Sequence, residues 1–120
     1  MEELLKQVGR PYNMFFEDGN YEGCFYPIYF LNPDKPHFPL KFDSNNRNYV
    51  YGMRLLRRFA KEISKDELKA GDIIATNFRD ELHVAIYYEF GKIIHVFKDH
   101  TLQIGRVNMF KEYKCFRVVS

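Results

Sequence analysis

The sequence predicts an α+β fold, with helices at the front of the chain packed on an antiparallel sheet of about five strands. Three observations predict it. The first half carries helical periodicity interrupted by a proline- and asparagine-rich loop. From residue 72 onward the texture becomes β-branched and aromatic. Short turns separate the middle strand segments, and short turns between consecutive strands require antiparallel pairing. Helices first and a meander second make an α+β pattern. The chain has 120 residues. Domains usually hold ~100–200 residues, so one domain spanning 1–120 is expected.

Residues 2–8 begin with Glu2 and Glu3 and place Leu4, Leu5 and Val8 on one side, which reads as a short amphipathic helix. Gly9 and Pro11 end it. Residues 12–23 read as aromatic loop, with turn chemistry at Asp18, Gly19, Asn20 and Gly23. Residues 24–31 (CFYPIYFL) are apolar throughout, and Pro27 fits the first turn of a helix. A buried helix starting at or near Cys24 is expected. Residues 32–48 hold Pro33, Pro36, Pro39 and four asparagines, a long loop. Residues 49–63 read as a helix with Leu55, Leu56, Phe59 and Ile63 on one face, and Arg54, Arg57, Arg58 and Lys61 on the other. Ser64 and Glu67 match a capping box for one further turn. The strand segments are 72–76, 82–88, 92–97, 101–107 and 114–119.

Composition excludes several classes. No apolar run reaches the ~18–20 residues of a membrane helix. Lys and Arg outnumber Asp and Glu by 18 to 16, a net charge of +2, too small to announce nucleic acid. Twelve Phe and nine Tyr without Trp supply a large apolar payload for a core. Cys24 and Cys115 lie far apart with no Cys-x-x-Cys, so neither a disulfide framework nor a zinc knuckle is signalled. The amino-terminal residues lack the basic-then-apolar order of a signal peptide, so nothing marks the chain for export and a cytoplasmic site of synthesis is expected.

His83 and His95 lie on consecutive predicted strands, and the midpoint of their numbers falls at Glu89, inside the predicted turn. The two imidazoles should therefore face each other, or lie diagonally if a bulge at Gly91 shifts the register. Either way they project from one face, about 4.5–8 Å apart at Cβ. Such a pair could supply two of three zinc ligands, but no third ligand follows at a zinc-like spacing, so no metal and no cofactor are expected. Cys24 gives the pair a chemical partner. A thiol at a helix N-terminus beside an imidazole is expected to have a lowered pKa. Thiol, imidazole base and an orienting group together make a nucleophilic triad. The bland alternative for Cys24 is a small buried hydrophobe, and Cys115, inside a strand, takes that reading.

The ordered set of these residues resembles the NlpC-type peptidases, papain-like cysteine enzymes that cut peptidoglycan stem peptides. Gly9, Arg10, Pro11 and Tyr12 are similar to that family's Gly-x-Pro-Tyr. Cys24 opens a helix, and Gly71-Asp72 precedes a strand. His83 to Tyr87 and Gly91 to His95 are similar to its His-Val-x-Ile-Tyr and following Ile-His. Tyr12 precedes Cys24 by as many residues as His83 precedes His95. The resemblance implies a papain-like fold with Cys24 as nucleophile, His83 as general base and His95 orienting His83. It also implies Tyr12 near the oxyanion site, beside the Cys24 backbone N–H. A stem-peptide substrate is implied as partner. The short form most resembles phage or prophage tail-associated members, which implies tail components as further partners and a virion setting. The sequence departs from the family at Gly23, where members usually carry Asp. In members that grip a stem peptide's free amine, that Asp is part of the grip.

Two other features have ordinary explanations. The stripe of Arg54, Arg57, Arg58 and Lys61 could touch an anionic glycan, but reads as a solvated helix face. The rings of Tyr12, Phe15, Phe16, Tyr21, Phe25, Tyr26, Tyr29 and Phe30 could stack sugars, but read as core. His37 and His100 fall in loops and suggest no role. The function classes left open are an amide-hydrolysing cysteine enzyme and a non-catalytic interaction module keeping the fold. Within enzymes, an acyltransferase or a protease on a non-peptidoglycan amide is the runner-up.

Overall fold

A computed structural model describes residues 1–12, 23–35, 49–97 and 100–119. The readings made for 13–22 and 36–48 lie outside the described residues, Phe15, Phe16, Tyr21 and His37 among them. Three helices, α1 (Glu2–Leu5), α2 (Tyr26–Leu31) and α3 (Tyr49–Leu56), precede six strands. The strands are β1 (Ala60–Ile63), β2 (Ile73–Phe78), β3 (Glu81–Tyr87), β4 (Lys92–His95), β5 (Gln103–Arg106) and β6 (Lys114–Val118). They form one antiparallel sheet in the order β1-β6-β2-β3-β4-β5.

The sheet has one strand more than expected. The helix read over 49–63 stops at Leu56, and residues 60–63 pair with β6, Ala60 opposite Val118 and Ile63 opposite Cys115. Four residues, Ala-Lys-Glu-Ile, fit a helical turn and a short strand equally well. Pairing settles the matter, because β6 would otherwise present a row of unpaired backbone groups. The basic stripe is broken by the same change. Arg57 instead lies with its guanidinium 5.4 Å from the Phe116 ring centre and 3.5 Å from a Glu62 oxygen.

Other elements follow their local chemistry. Glu2 and Glu3 occupy the first turn of α1, where carboxylates meet the positive helix end, and Leu4 is fully buried. Pro27 stands in the first turn of α2, whose Tyr26, Pro27, Ile28 and Tyr29 are buried. Ser64 Oγ accepts from Asp66 N at 3.1 Å while Ser64 N donates to Glu67 Oε1 at 3.0 Å, completing the expected capping box on a short 3-10 turn. Arg79 and Asp80 make a two-residue hairpin turn between β2 and β3 with both φ angles positive, at 54° and 66°.

Both faces of the sheet are buried at its centre, and they differ in what covers them. Leu82, Val84 and Ile86 of β3 join Ile73, Ala75, Ile94 and Phe116 under the three helices. Gly52 of α3 comes so close to this face that an added Cβ would lie 2.8 Å from Leu82 Cβ. Ala85 and Tyr87 point the other way, with Ile74, Ile93, Cys115 and Phe110. The segment 107–113 covers that second face and is tied to β2 where Thr76 Oγ1 donates to the Glu112 carbonyl at 2.7 Å. Asp72, just before β2, is a buried staple. It accepts from Lys69 N at 2.8 Å and from both Nε and Nη2 of Arg117, at 3.0 and 2.8 Å.

Candidate active site

The β3–β4 turn positions the two imidazoles. Ile86 pairs with Ile94 and Tyr87 with Ile93, so His95 falls opposite Ala85 and diagonal to His83. Phe90 and Gly91, with φ of 48° and 80°, build the wider turn that makes this shift. It is the diagonal alternative of the sequence reading. His83 Nε2 and His95 Nδ1 lie 3.2 Å apart, a hydrogen bond in which one ring donates and the other accepts. Their planes stand at 76°.

Aromatic rings enclose the pair. Phe97 stacks on His83 at 4.4 Å between centres and 10° between planes, and meets the His95 ring edge-on at 4.9 Å. Phe110 approaches His83 at 5.6 Å and His95 at 6.1 Å, and Phe78 reaches His83 at 6.3 Å. The residues are 5% and 1% exposed. Burial disfavours the charged imidazolium. It holds His83 down at about 3, with His95 adding to the effect, and His95 at about 4. Both rings are therefore neutral at pH 7. Phe78, Phe97 and Phe110 also line a groove of about 790 Å³, together with Thr76, Tyr113 and Lys114. Sequence reasoning did not single out Phe97 or Phe110. Strand alternation was the available signal for Phe97, which lies two residues beyond His95 and so on the same face. Phe110 comes from a distant turn and left no such trace.

Cys24 sits in a 3-10 turn, Gly23–Phe25, that runs into α2, close to where the helix start was expected. It packs on the helix-side core with Leu82, Val84 and Ile86, not among the rings around the imidazoles. The expectation that the Cys24 helix packs on the face bearing His83 and His95 is corrected accordingly. An α2 that is buried nearly all round needs the more apolar row of β3, and that row alternates with the histidine row. The sulfur still reaches β3 next to His83. It donates to the Leu82 carbonyl oxygen at 3.5 Å, one peptide unit before His83. Among the described residues no hydrogen bond joins the sulfur to either imidazole.

The lowered thiol pKa expected for Cys24 is also corrected. The residue is half-buried, and desolvation of its sulfur pushes the thiol up to about 12. Backbone hydrogen bonds around Val84 and Cys24 oppose this and are outweighed. Cys115 is raised too, mainly by burial. Tyr12 is held through its backbone, its N–H donating to the His100 carbonyl at 3.0 Å beside a Pro11–Thr101 bridge. Its side chain packs on the same core as Cys24. Phe25, Tyr26 and Tyr29 are core, as the bland reading had it, and His100 is exposed.

Among the described residues no group of three His, Cys, Asp or Glu side chains could hold a metal ion, and no helix is long and apolar enough to cross a membrane. No curated protein matches the chain. A family model, described as the NlpC/P60 family, matches residues 40–118. The matched stretch contains both imidazoles, the Asp72 staple and the whole sheet, and it begins after Tyr12 and Cys24. It spans about two thirds of the sequence, and its strands are those that carry the histidine pair: this chain belongs to the NlpC/P60 family.

Proposed function

We propose that this protein is a cysteine hydrolase that cleaves an amide bond in peptidoglycan stem peptides. Cys24 is the nucleophile, His83 the general base and His95 the residue that orients His83. The observation that carries the reading is the 3.2 Å contact between His83 Nε2 and His95 Nδ1 inside an aromatic enclosure. It ties up one nitrogen of His83 and leaves Nδ1 as the base. With Nδ1 free to accept, the His83 hydrogen sits on Nε2 and is donated to His95 Nδ1. His95 then carries its own hydrogen on Nε2.

Neutral rings suit this chemistry, because a base must be unprotonated before the reaction begins. Cys24 Sγ attacks the amide carbon as its proton passes to His83 Nδ1. The proton then goes to the leaving amine, and a thioester forms. Water, deprotonated by His83, attacks the thioester and releases the acid and the thiol. The Cys24 backbone N–H and Tyr12 are assigned to the oxyanion. Attack requires the sulfur to exchange its Leu82 bond for one to His83 Nδ1. The resting state is therefore a thiol beside a neutral imidazole, not an ion pair. Gly23 leaves the amine end of the substrate without the usual carboxylate grip.

A second reading is favoured by that same sulfur, bonded to a carbonyl and raised by burial. In it the chain is a non-catalytic module, with tail components as its partners. Purified peptidoglycan fragments distinguish the two. Mass spectrometry should detect new amine and carboxyl termini with the wild type, and none with Cys24→Ala or His83→Ala. A folded wild type that releases no fragment makes the module reading lead. Transfer of the acyl group to an added amine would instead show an acyltransferase.

A further inference from the structure

Gly105 of β5 lies on the imidazole face, opposite Ile93 and diagonal to His95. The residue directly opposite His95 is Gln103. The His95 ring leans away from that partner and over the glycine. A Cβ built on Gly105 would lie 2.7 Å from His95 Nε2 and 3.4 Å from His95 Cδ2. It would also lie 3.4 Å from Met109 Sδ. The ring cannot easily yield. Phe97 and Phe110 stand edge-on to it at 4.9 and 6.1 Å, and its Nδ1 is engaged with His83. Buried rings in such packing move only by displacing their neighbours.

We propose that Gly105 is a positioning residue: the side chain it lacks is the space that holds His95 where Nδ1 meets His83 Nε2. The proposal rests on the Cys24–His83–His95 reading for its catalytic consequence, though not for its geometry. Any side chain at 105 turns or displaces the His95 ring and lengthens the histidine contact. His83 then loses the partner that fixes its hydrogen on Nε2. Its Nδ1 becomes protonated in part of the population, and that part cannot accept a proton from the thiol.

The test is Gly105→Ala, with Arg106→Ala as an exposed control on the same strand. Two readouts are needed. Imidazole nitrogen shifts of the full chain at pH 7 should show both wild-type rings with hydrogen on Nε2, and a mixed state for His83 in Gly105→Ala. Turnover on stem-peptide fragments should show kcat falling by roughly 10–100-fold with KM within about threefold, as small misplacements of a catalytic group do. Asparagine is smaller and offers an acceptor oxygen. In a His95→Asn background the Gly105→Ala effect on kcat should therefore shrink to below about threefold. A merely structural role for Gly105 predicts equal effects in both backgrounds.

Unchanged imidazole shifts in a folded Gly105→Ala protein overturn the proposal. If Gly105→Ala does not fold, the double variant with His95→Asn must fold, since the clash is gone. Failure of both to fold also overturns it. A wild type without turnover would remove the hydrolase reading, and the nitrogen shifts would still decide the role of Gly105.

Discussion

The two faces of β3 carry opposite kinds of chemistry. On one, Leu82, Val84 and Ile86 are sealed under three helices, with Cys24 at the margin. On the other, Ala85 joins the second core and His83 stacks on Phe97 within the ring enclosure. The Cys24 thiol and the His83 imidazole thus belong to different packing units, joined by the strand backbone at Leu82 and His83. Both faces depress ionisation by the same mechanism. Burial raises the acid, Cys24, and lowers the bases, His83 and His95. Burial on both sides of the sheet thus favours the neutral form of the thiol and of both imidazoles.

Breaking either side should have the largest effect. Cys24→Ala and His83→Ala are each expected to lower kcat by at least ~10³-fold, since nucleophile and base act as a unit. Fragment release is the measurement, and a His83→Ala protein as active as wild type would remove His83 from the role of base. The apolar row of β3 under the helices should answer in stability instead. Ile86 is fully buried there, and Ile86→Ala should cost ~2–5 kcal/mol in urea unfolding. The imidazole nitrogen shifts should stay unchanged, and a change in them would mean the two faces are coupled through the strand.

His95→Ala is expected to lower kcat by ~10²-fold, less than His83→Ala, because it removes orientation and not the base. An equal loss from both would give His95 a direct part in proton transfer.

Acid sharpens the comparison further. The ordinary histidine value is 6.5, and the folded rings are held at about 3 and 4. As pH falls below 6.5, the unfolded chain takes up protons that the folded chain refuses. Stability is therefore full above pH 6.5 and falls toward pH 4, by up to ~1.4 kcal/mol per pH unit for each ring. Urea midpoints between pH 7 and 4.5 should show this slope. The double variant His83→Gln, His95→Asn should flatten it, and an unflattened slope would place the titration elsewhere.

The smallest effect is expected in thiol labelling. With both thiols raised, iodoacetamide at pH 6 should label Cys24 and Cys115 slowly in the folded protein and faster in denaturant. Fast labelling of folded Cys24 that is lost in His83→Ala would show a thiolate–imidazolium pair in the resting state.

Much of the site was legible before the fold was. Two histidines flanking one tight turn had to share a face, because strand side chains alternate with a period of two. The diagonal register was one of two options, and only the left-handed pair Phe90 and Gly91 chose it. The capping box at Ser64 and the helix start near Cys24 are local chemistry, and both are present. Residues 60–63 are strand where helix is expected, because a four-residue stretch carries too few turns of either period to choose between them.

The sequence by itself determined the alternation along β3 and β4, the turn between them and that the two imidazoles share a face, since these depend on neighbours along the chain. Tertiary structure alone decided three further things. It set which face of β3 receives the Cys24 helix, because a strand apolar on both sides offers either. It brought Phe110 and Gly105 against the histidines from distant segments. And it made the Cys24 thiol a weaker acid, not a stronger one. A thiol's ionisation depends on how much water and protein surround the sulfur, and that is fixed only when the helices close over the sheet.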